Sequence, residues 1–337
     1  MTWFERLTGF AETSPDRVRD QIAIEGDRLI SRVNHQSFVY GRLETPTLAD
    51  LRRRVDRHRG HASGRLSLRE QVADITDLHA DPVNAGALFQ VASQFNLLEM
   101  VSPQVTPEQG VGIYENDPTQ GPNCAIAAGA GTIYRNYFVP VNGQIGQSAE
   151  HQIDGLADLG RALGNTDAQL WRMSNGYALA SRQGLRQISR QLAAASEVEI
   201  DRLRQTLRIG LQCQTQVTIG AAQHRVTQAY CSALPVAYSE WDASLWEPFA
   251  RLVLDAAYEA TLGAAVLNRI ETGNPTVFLT LLGGGVFGNN LDWILDSVAR
   301  VLGRYRDWDL DVAIVSYGRS KAEVRSLVER YSDHPAS

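Results

Sequence analysis

The stretch Leu279-Thr280-Leu281-Leu282-Gly283-Gly284-Gly285-Val286-Phe287-Gly288-Asn289-Asn290 decides how this chain is read. The apolar run from Thr276 to Leu282 predicts a buried strand. Three glycines follow, then Val286 and Phe287, a fourth glycine and two asparagines. Leu291, Ile294, Leu295, Val298 and Leu302 then fall at helical spacing. A strand that enters a helix through glycines lets backbone N–H groups approach a phosphate closely. The helix start adds unpaired donors and a partial positive charge. The same residues also suit a tight strand-to-helix turn with no ligand, and the rest of the chain has to weigh the two.

Working outward, the 337 residues are long enough for one large domain or two ordinary ones. A content of 44% hydrophobic and 21% charged residues is that of a folded chain with a real core. A net charge of −6 gives no electrostatic case for nucleic acid or an anionic membrane. The basic run Arg52-Arg53-Arg54 reads as a solvated helix face. Cys124, Cys213 and Cys231 lack CxxC spacing and read as buried thiols. The histidines are not spaced as a metal set, so a zinc site has no support; no cofactor is expected, and no residue cluster demands the magnesium ion that a pyrophosphate ligand would allow. Met1 to Ala11 has no long apolar core, and no stretch reaches the roughly 20 apolar residues of a membrane span. A cytoplasmic location is expected.

Strands alternate with helices along the chain, which predicts an α/β sheet covered on both sides. Short strands are expected over residues 21–25, 28–32 and 37–40, and a helix capped by Thr47 over 47–58. His61 to Gly64 reads as a loop. Further strands are expected at 66–72 and 88–92, with one buried helix over 123–135. A helical pattern covers 151–163, 183–195 and 198–207, with a strand pair between, folded at Ser174-Asn175-Gly176. Two β-rich runs lead into a long helix over 245–270. The expected organisation is an N-terminal extension, 1–60, packed on a domain spanning 61–335 with a helical insertion at about 145–205.

A second cluster carries polar residues at strand ends. Asp74 and Ile75 follow the strand at 66–72, and Asn96 follows Val91-Ala92-Ser93-Gln94-Phe95. Gly110-Val111-Gly112 leads into the acidic turn Glu115-Asn116-Asp117-Pro118-Thr119-Gln120. An aspartate past a strand can accept from the exocyclic amine of a base, and an asparagine can reach sugar hydroxyls. Two glycines around a small residue expose backbone donors to a pyrophosphate.

In this order the motifs resemble the macrodomain family, the ADP-ribose-binding fold. Ala73-Asp74-Ile75-Thr76 is similar to that family's Gly-Asp-Ile strand end, and Val91-Ala92-Ser93-Gln94-Phe95-Asn96 to its strand ending in Asn-Ala-Ala-Asn, with Asn96 as the second asparagine and Ser93 in place of the first. Gly285-Val286-Phe287-Gly288 is similar to its Gly-Val-Phe-Gly loop. The resemblance implies a macrodomain-like three-layer α/β/α mixed sheet with added N-terminal and helical segments. It implies that Asp74 binds the adenine amine, that Ile75 lies against the base, and that Asn96 touches the distal ribose. Gly110, Gly112 and the loop Gly284, Gly285, Val286, Phe287, Gly288 and Asn289 would clamp the pyrophosphate, with Phe287 under the ribose and Tyr317 stacking on adenine. The chain is nearly twice a minimal macrodomain, which brings it nearer the poly(ADP-ribose) glycohydrolases. It looks most like the branch that removes ADP-ribose from arginine, where aspartates serve as acid and base.

The reaction so implied is hydrolysis of the distal-ribose glycosidic bond of ADP-ribosylated protein, through an oxocarbenium-like state. It needs a carboxyl group to activate water or protonate the leaving group. Asp117 is the first candidate and Glu115 the second, with Gln120 orienting water or a ribose hydroxyl. Asp117 before Pro118 equally suits a plain turn. Glu12, a lone acid near the N-terminus, is expected at the surface. Ser232 lacks a GxSxG elbow, and the Gly283 loop lacks the Gly-Lys-Ser/Thr of a nucleotide-triphosphate loop. The alternative function is a non-catalytic ADP-ribose reader or nucleotide sensor with the same pocket.

Overall fold

The computed structural model describes residues 1–59 and 64–333, so positions 61–63 of the expected loop lie outside the described residues. Seven strands form the main sheet. Their order is Arg42–Glu44, Gly210–Gln216, Arg225–Cys231, Leu88–Ala92, Thr276–Leu279, Asp311–Ser316 and Ser67–Val72. The first two pairings are antiparallel and the remaining four parallel. The inner parallel strands Leu88–Ala92, Thr276–Leu279 and Asp311–Ser316 read as apolar runs because both of their faces are covered. Leu88, Val277, Leu279, Val312 and Ile314 pack on the side of the helix Ala243–Thr272. Their neighbours Phe89, Val91, Phe278 and Ala313 pack on the other side with Ile75 and Cys124. This period-two division makes three layers, α/β/α, around a mixed sheet.

The long helix starts at Asp242, whose side chain accepts from the Ser244 N–H, and ends at left-handed Gly273. Buried Glu259 on this helix pairs with Arg52 Nε (2.5 Å), Arg300 Nη1 (3.0 Å) and Arg304 Nε (2.8 Å), and Arg52 also holds Asp201. Arg52 therefore leaves the solvated face expected for its basic run and pins the helix Leu48–Asp56 to the long helix. Together with the Arg42–Glu44 strand, this makes residues 42–56 an edge strand of the main sheet and part of the helical layer beside the long helix.

The single helix expected over 123–135 is two, Gln120–Ala127 and Gly129–Tyr137. Ala128 breaks them at φ −117°, ψ 57°. Side chains stabilise the break: Gly129 N–H donates to Thr218 Oγ1 (3.0 Å), and Thr132 Oγ1 donates to the Ala125 carbonyl (2.6 Å). The helix expected from His151 starts only at Ala157. The preceding residues are committed elsewhere, with Gly155 N–H donating to the Phe95 carbonyl (2.9 Å). All three cysteines are free and buried. Among the described residues no helix is long and apolar enough to cross a membrane.

Candidate active site

The carboxyl ends of the parallel strands lie along one edge of the sheet, the edge where open α/β sheets bind ligands. The strands Leu88–Ala92 and Thr276–Leu279 pair only at Leu88–Val277 and Phe89–Phe278. Beyond those pairs they part, and side-chain amides replace the ladder. Thr280 N–H donates to Gln90 Oε1 (3.3 Å). Ala92 N–H donates to Gln120 Oε1 (2.9 Å), and Gln120 Nε2 donates to the Gln90 carbonyl (2.8 Å). Above this floor is a cavity of about 240 Å³.

One wall of the cavity is the glycine loop. Gly283 sits at φ +74°, and a Cβ there would overlap Ala233 and the Asn289 amide, so the turn requires glycine. Asn289 N–H donates to the Gly283 carbonyl (2.9 Å), and Asn289 Nδ2 donates to the Leu234 carbonyl (2.8 Å). The N–H of Gly284 goes to Leu281 and that of Gly288 to Gly285. The N–H groups of Gly285, Val286 and Phe287 meet no partner among the described residues, and all three residues line the cavity. Consecutive free amides of this kind form an anion-binding concavity. A Cβ on Gly285 would meet open space.

The facing wall carries two carboxyl groups, Glu99 and Asp117. Glu99 is 3% exposed, and its Oε1 is buried with no hydrogen-bond partner among the described residues. Burial pushes its pKa well above the ordinary carboxyl range, while the charge of Arg135 opposes that rise and Asp117 adds to it. Burial of this kind favours the protonated form of the carboxyl, the form that can donate a proton. Gly121 makes room for it, since a Cβ there would overlap both the Ala92 carbonyl and Glu99 Oε2. Asp117 Oδ1 accepts from Thr119 N–H (3.0 Å), so the residue opens a turn and lines the cavity at once. Tyr177, Tyr238 and Phe287 close the third side as an aromatic trio, with ring centroids 5.2 to 5.6 Å apart.

Other expected site residues have different employment. Glu115 lies outside the cavity lining: its Oε2 accepts from Trp3 N–H (2.9 Å) and pairs with Arg6 at 3.6 Å. Gly110-Val111-Gly112 does cradle an anion, but it is the carboxylate of Glu12, which accepts from the N–H groups of Val111 (2.9 Å) and Gly112 (2.6 Å) and from Tyr137 Oη (2.7 Å). Glu12 is thus an internal ligand rather than a surface acid. Burial raises its pKa, and those three donors hold the rise in check.

Asn96 is fully buried, its amide spent on Gln152 (2.9 Å) and on Leu98 N–H (3.1 Å), so it shapes a loop instead of meeting a sugar. The Gln120 amide is likewise committed to the strand Leu88–Ala92. Ile75 belongs to the core beneath the sheet. Asp74 caps the helix Ile75–Ala80 through Thr76 N–H (2.7 Å). It lies beside Tyr317, because the strands that precede them are paired at Val72–Ser316. Tyr317 is 76% exposed.

Glu99, Tyr177 and Tyr238 were not anticipated. Glu99 had a signal: it is the one acid in the apolar run Leu97-Leu98-Glu99-Met100-Val101 just past a strand, where burial of a charge is informative.

No family model matches the sequence, and no curated protein matches it. Solved structures of similar outline exist. The poly(ADP-ribose) glycohydrolase of Deinococcus radiodurans in complex with ADP-ribose is 13% identical, with 87% of this chain and 93% of that one covered, at a TM-score of 0.46. The poly(ADP-ribose) glycohydrolase of Thermomonospora curvata bound to the inhibitor ADP-HPD is 12% identical, with 94% and 97% covered, at a TM-score of 0.45.

Proposed function

We propose that this protein hydrolyses the glycosidic bond at the distal ribose of ADP-ribosylated protein. One observation carries the reading: a buried acid, Glu99, and a carboxylate, Asp117, face the same cavity as the three free amides of Gly285, Val286 and Phe287. The amides receive the pyrophosphate, whose negative charge they match. The distal ribose then reaches inward, against Phe287 and the two tyrosines. The adenine lies outward, toward Val286 and the adjacent Asp74 and Tyr317.

The chemistry follows from the carboxyl groups. As the bond from the anomeric carbon to the leaving atom breaks, Glu99 gives its proton to that atom and the ribose becomes oxocarbenium-like. A water attacks the anomeric carbon and passes its proton to Asp117. Linkage to arginine is the finer reading, supported by the acidic lining of the cavity, Glu99 and Asp117, which complements a cationic leaving group. A reader without turnover would use the same amides but would have no task for a protonated acid in the cavity.

The test is incubation with proteins mono-ADP-ribosylated on arginine, acidic residues or serine, followed by quantification of released ADP-ribose. Release from at least one is expected, with arginine first. Tight binding of ADP-ribose with no release from any would favour the reader. Absence of binding would remove the site assignment altogether.

A further inference from the structure

Arg135 is wholly buried, yet every hydrogen bond it donates goes to a neutral acceptor. Nε donates to the Leu97 carbonyl (3.1 Å), Nη1 to Gln212 Oε1 (3.3 Å) and Nη2 to Thr132 Oγ1 (3.0 Å). Its guanidinium lies 3.6 Å from the centre of the Tyr230 ring. A buried charge without a contacting counter-ion is costly, and a fold that retains one needs a use for it.

The use lies two residues beyond the first acceptor. Leu97 sits at φ +66°, a left-handed conformation unfavourable to leucine, and it closes the turn from Gln94 that leads the chain to Glu99 at the cavity. The conformation is held from several sides. Leu97 N–H donates to the Gln94 carbonyl (2.9 Å), and Gln147 Nε2 bridges the carbonyls of Asn96 and Arg135 at 3.0 Å each. The Leu97 side chain packs on Gly210, where a Cβ would come within 2.5 Å. Arg135 thus grips the loop by its side chain while its own backbone is tied to the same loop.

Its charge also has an address. Arg135, Asp117, Tyr114, Tyr177, Tyr230 and Cys124 lie within electrostatic reach of Glu99, and Arg135 is the cation among them. We propose that Arg135 is a positioning residue for Glu99: it fixes the strained Leu97 carbonyl, and it supplies the buried positive charge against which the Glu99 carboxylate forms once the proton has been given up. This rests on the function proposed above for Glu99.

The test reads the Glu99 carboxyl directly by ¹³C NMR in protein labelled at glutamate Cδ, with the resonance assigned by its loss in Glu99→Gln. Three variants are compared with wild type. Arg135→Gln removes the charge, Arg135→Lys keeps it, and Gln212→Glu neutralises it in place with the Arg135 clamp retained at the cost of the Gln212 bond to the Tyr40 carbonyl (2.7 Å), so it carries the test if Arg135→Gln does not fold. The Glu99 midpoint is expected to rise by about one pH unit or more in the two neutralised variants and to stay near wild type with lysine. The alkaline limb of kcat should move with the midpoint, while KM is unchanged. An unmoved midpoint in Gln212→Glu, or a lysine variant that titrates like the neutral ones, overturns the inference. An inactive wild type with a shifted midpoint would sink the hydrolase reading but not the pairing of Arg135 with Glu99.

Discussion

Replacing Glu99 with glutamine tests the site most sharply, because it keeps the volume of the side chain and removes its acidic proton. The position is tight, with Gly121 against one carboxyl oxygen and the other oxygen buried without a hydrogen-bond partner. A near-isosteric change is therefore tolerated where a larger one is not. General acid catalysis contributes about 10²- to 10⁴-fold, so kcat for release of ADP-ribose should fall by that factor, roughly 3 to 5 kcal/mol of lost transition-state stabilisation. Binding of ADP-ribose, governed by the amides of Gly285 to Phe287, should change by no more than a few-fold. Stability should move the other way. A carboxyl whose pKa is raised by burial contributes stability below its unfolded pKa, and that contribution is lost as pH rises through the folded value. Glutamine does not ionise, so the variant should gain in Tm relative to wild type as pH is raised from 5 to 8. The assay pairs single-turnover release with thermal melts of the same samples. Release within about twofold of wild type would refute a proton-donating role for Glu99.

The remaining predictions concern the two walls and the core. Asp117→Asn should cut turnover by about 10²-fold or more and leave ADP-ribose affinity within a few-fold in calorimetry; full turnover would discard its role as base. Gly285→Glu enters open space and should leave Tm unchanged, yet it sets a carboxylate before the free amides; undiminished ADP-ribose binding would remove the phosphate assignment. Gly283→Ala forces a side chain into a left-handed residue already against Ala233 and Asn289, and urea unfolding should show a loss of about 1 to 3 kcal/mol. His79 is wholly buried, its Nδ1 donating to the Ile75 carbonyl (2.8 Å) and its Nε2 accepting from Gln228 (3.1 Å). Burial lowers its pKa from 6.5 to about 4, so its contribution is present above pH 6.5 and is lost as pH falls toward 4. Urea unfolding should show wild type losing about 2 to 3 kcal/mol more than His79→Gln between pH 7.5 and 4.5, and parallel losses would contradict the assignment.

What the sequence reveals divides along the range of the interactions. The strands at 88–92 and 276–279 are legible because each is a short apolar run bounded by polar or glycine residues. The cap at Thr47 is legible because the N–H that donates to it lies three residues away. Arg52 is not, since its partners Glu259 and Asp201 stand 207 and 149 positions off. The break at Ala128 depends on Thr218, a residue on another loop. In the site, the glycine loop and Asp117 could be found locally, whereas Tyr177 and Tyr238 join it only through tertiary packing. Asn96 was misread because an asparagine beyond a strand has two common employments, meeting a ligand or bonding its own loop, and the choice was made by Gln152.

The two glycine segments show where the physical criterion for a phosphate site resides. By sequence, Gly110-Val111-Gly112 and Gly285-Val286-Phe287-Gly288 offer the same resource, backbone donors uncovered by small residues. The first set is already filled, because Glu12 brings a carboxylate onto the N–H groups of Val111 and Gly112, and Tyr137 supports it from the far side. That internal anion, with Trp3 Nε1 donating to the Val111 carbonyl (2.9 Å) and Trp3 N–H to Glu115, anchors the segment that ends at Asp117. The second set has no internal anion among the described residues, and its free donors belong to residues that line the cavity. A glycine-rich turn is thus a precondition shared by both loops, and the discriminating property is whether an acid elsewhere in the chain has already satisfied the donors. On that property the first loop is a brace for the wall that carries Asp117, and the second is the one whose donors stay free for the pyrophosphate of the proposed substrate.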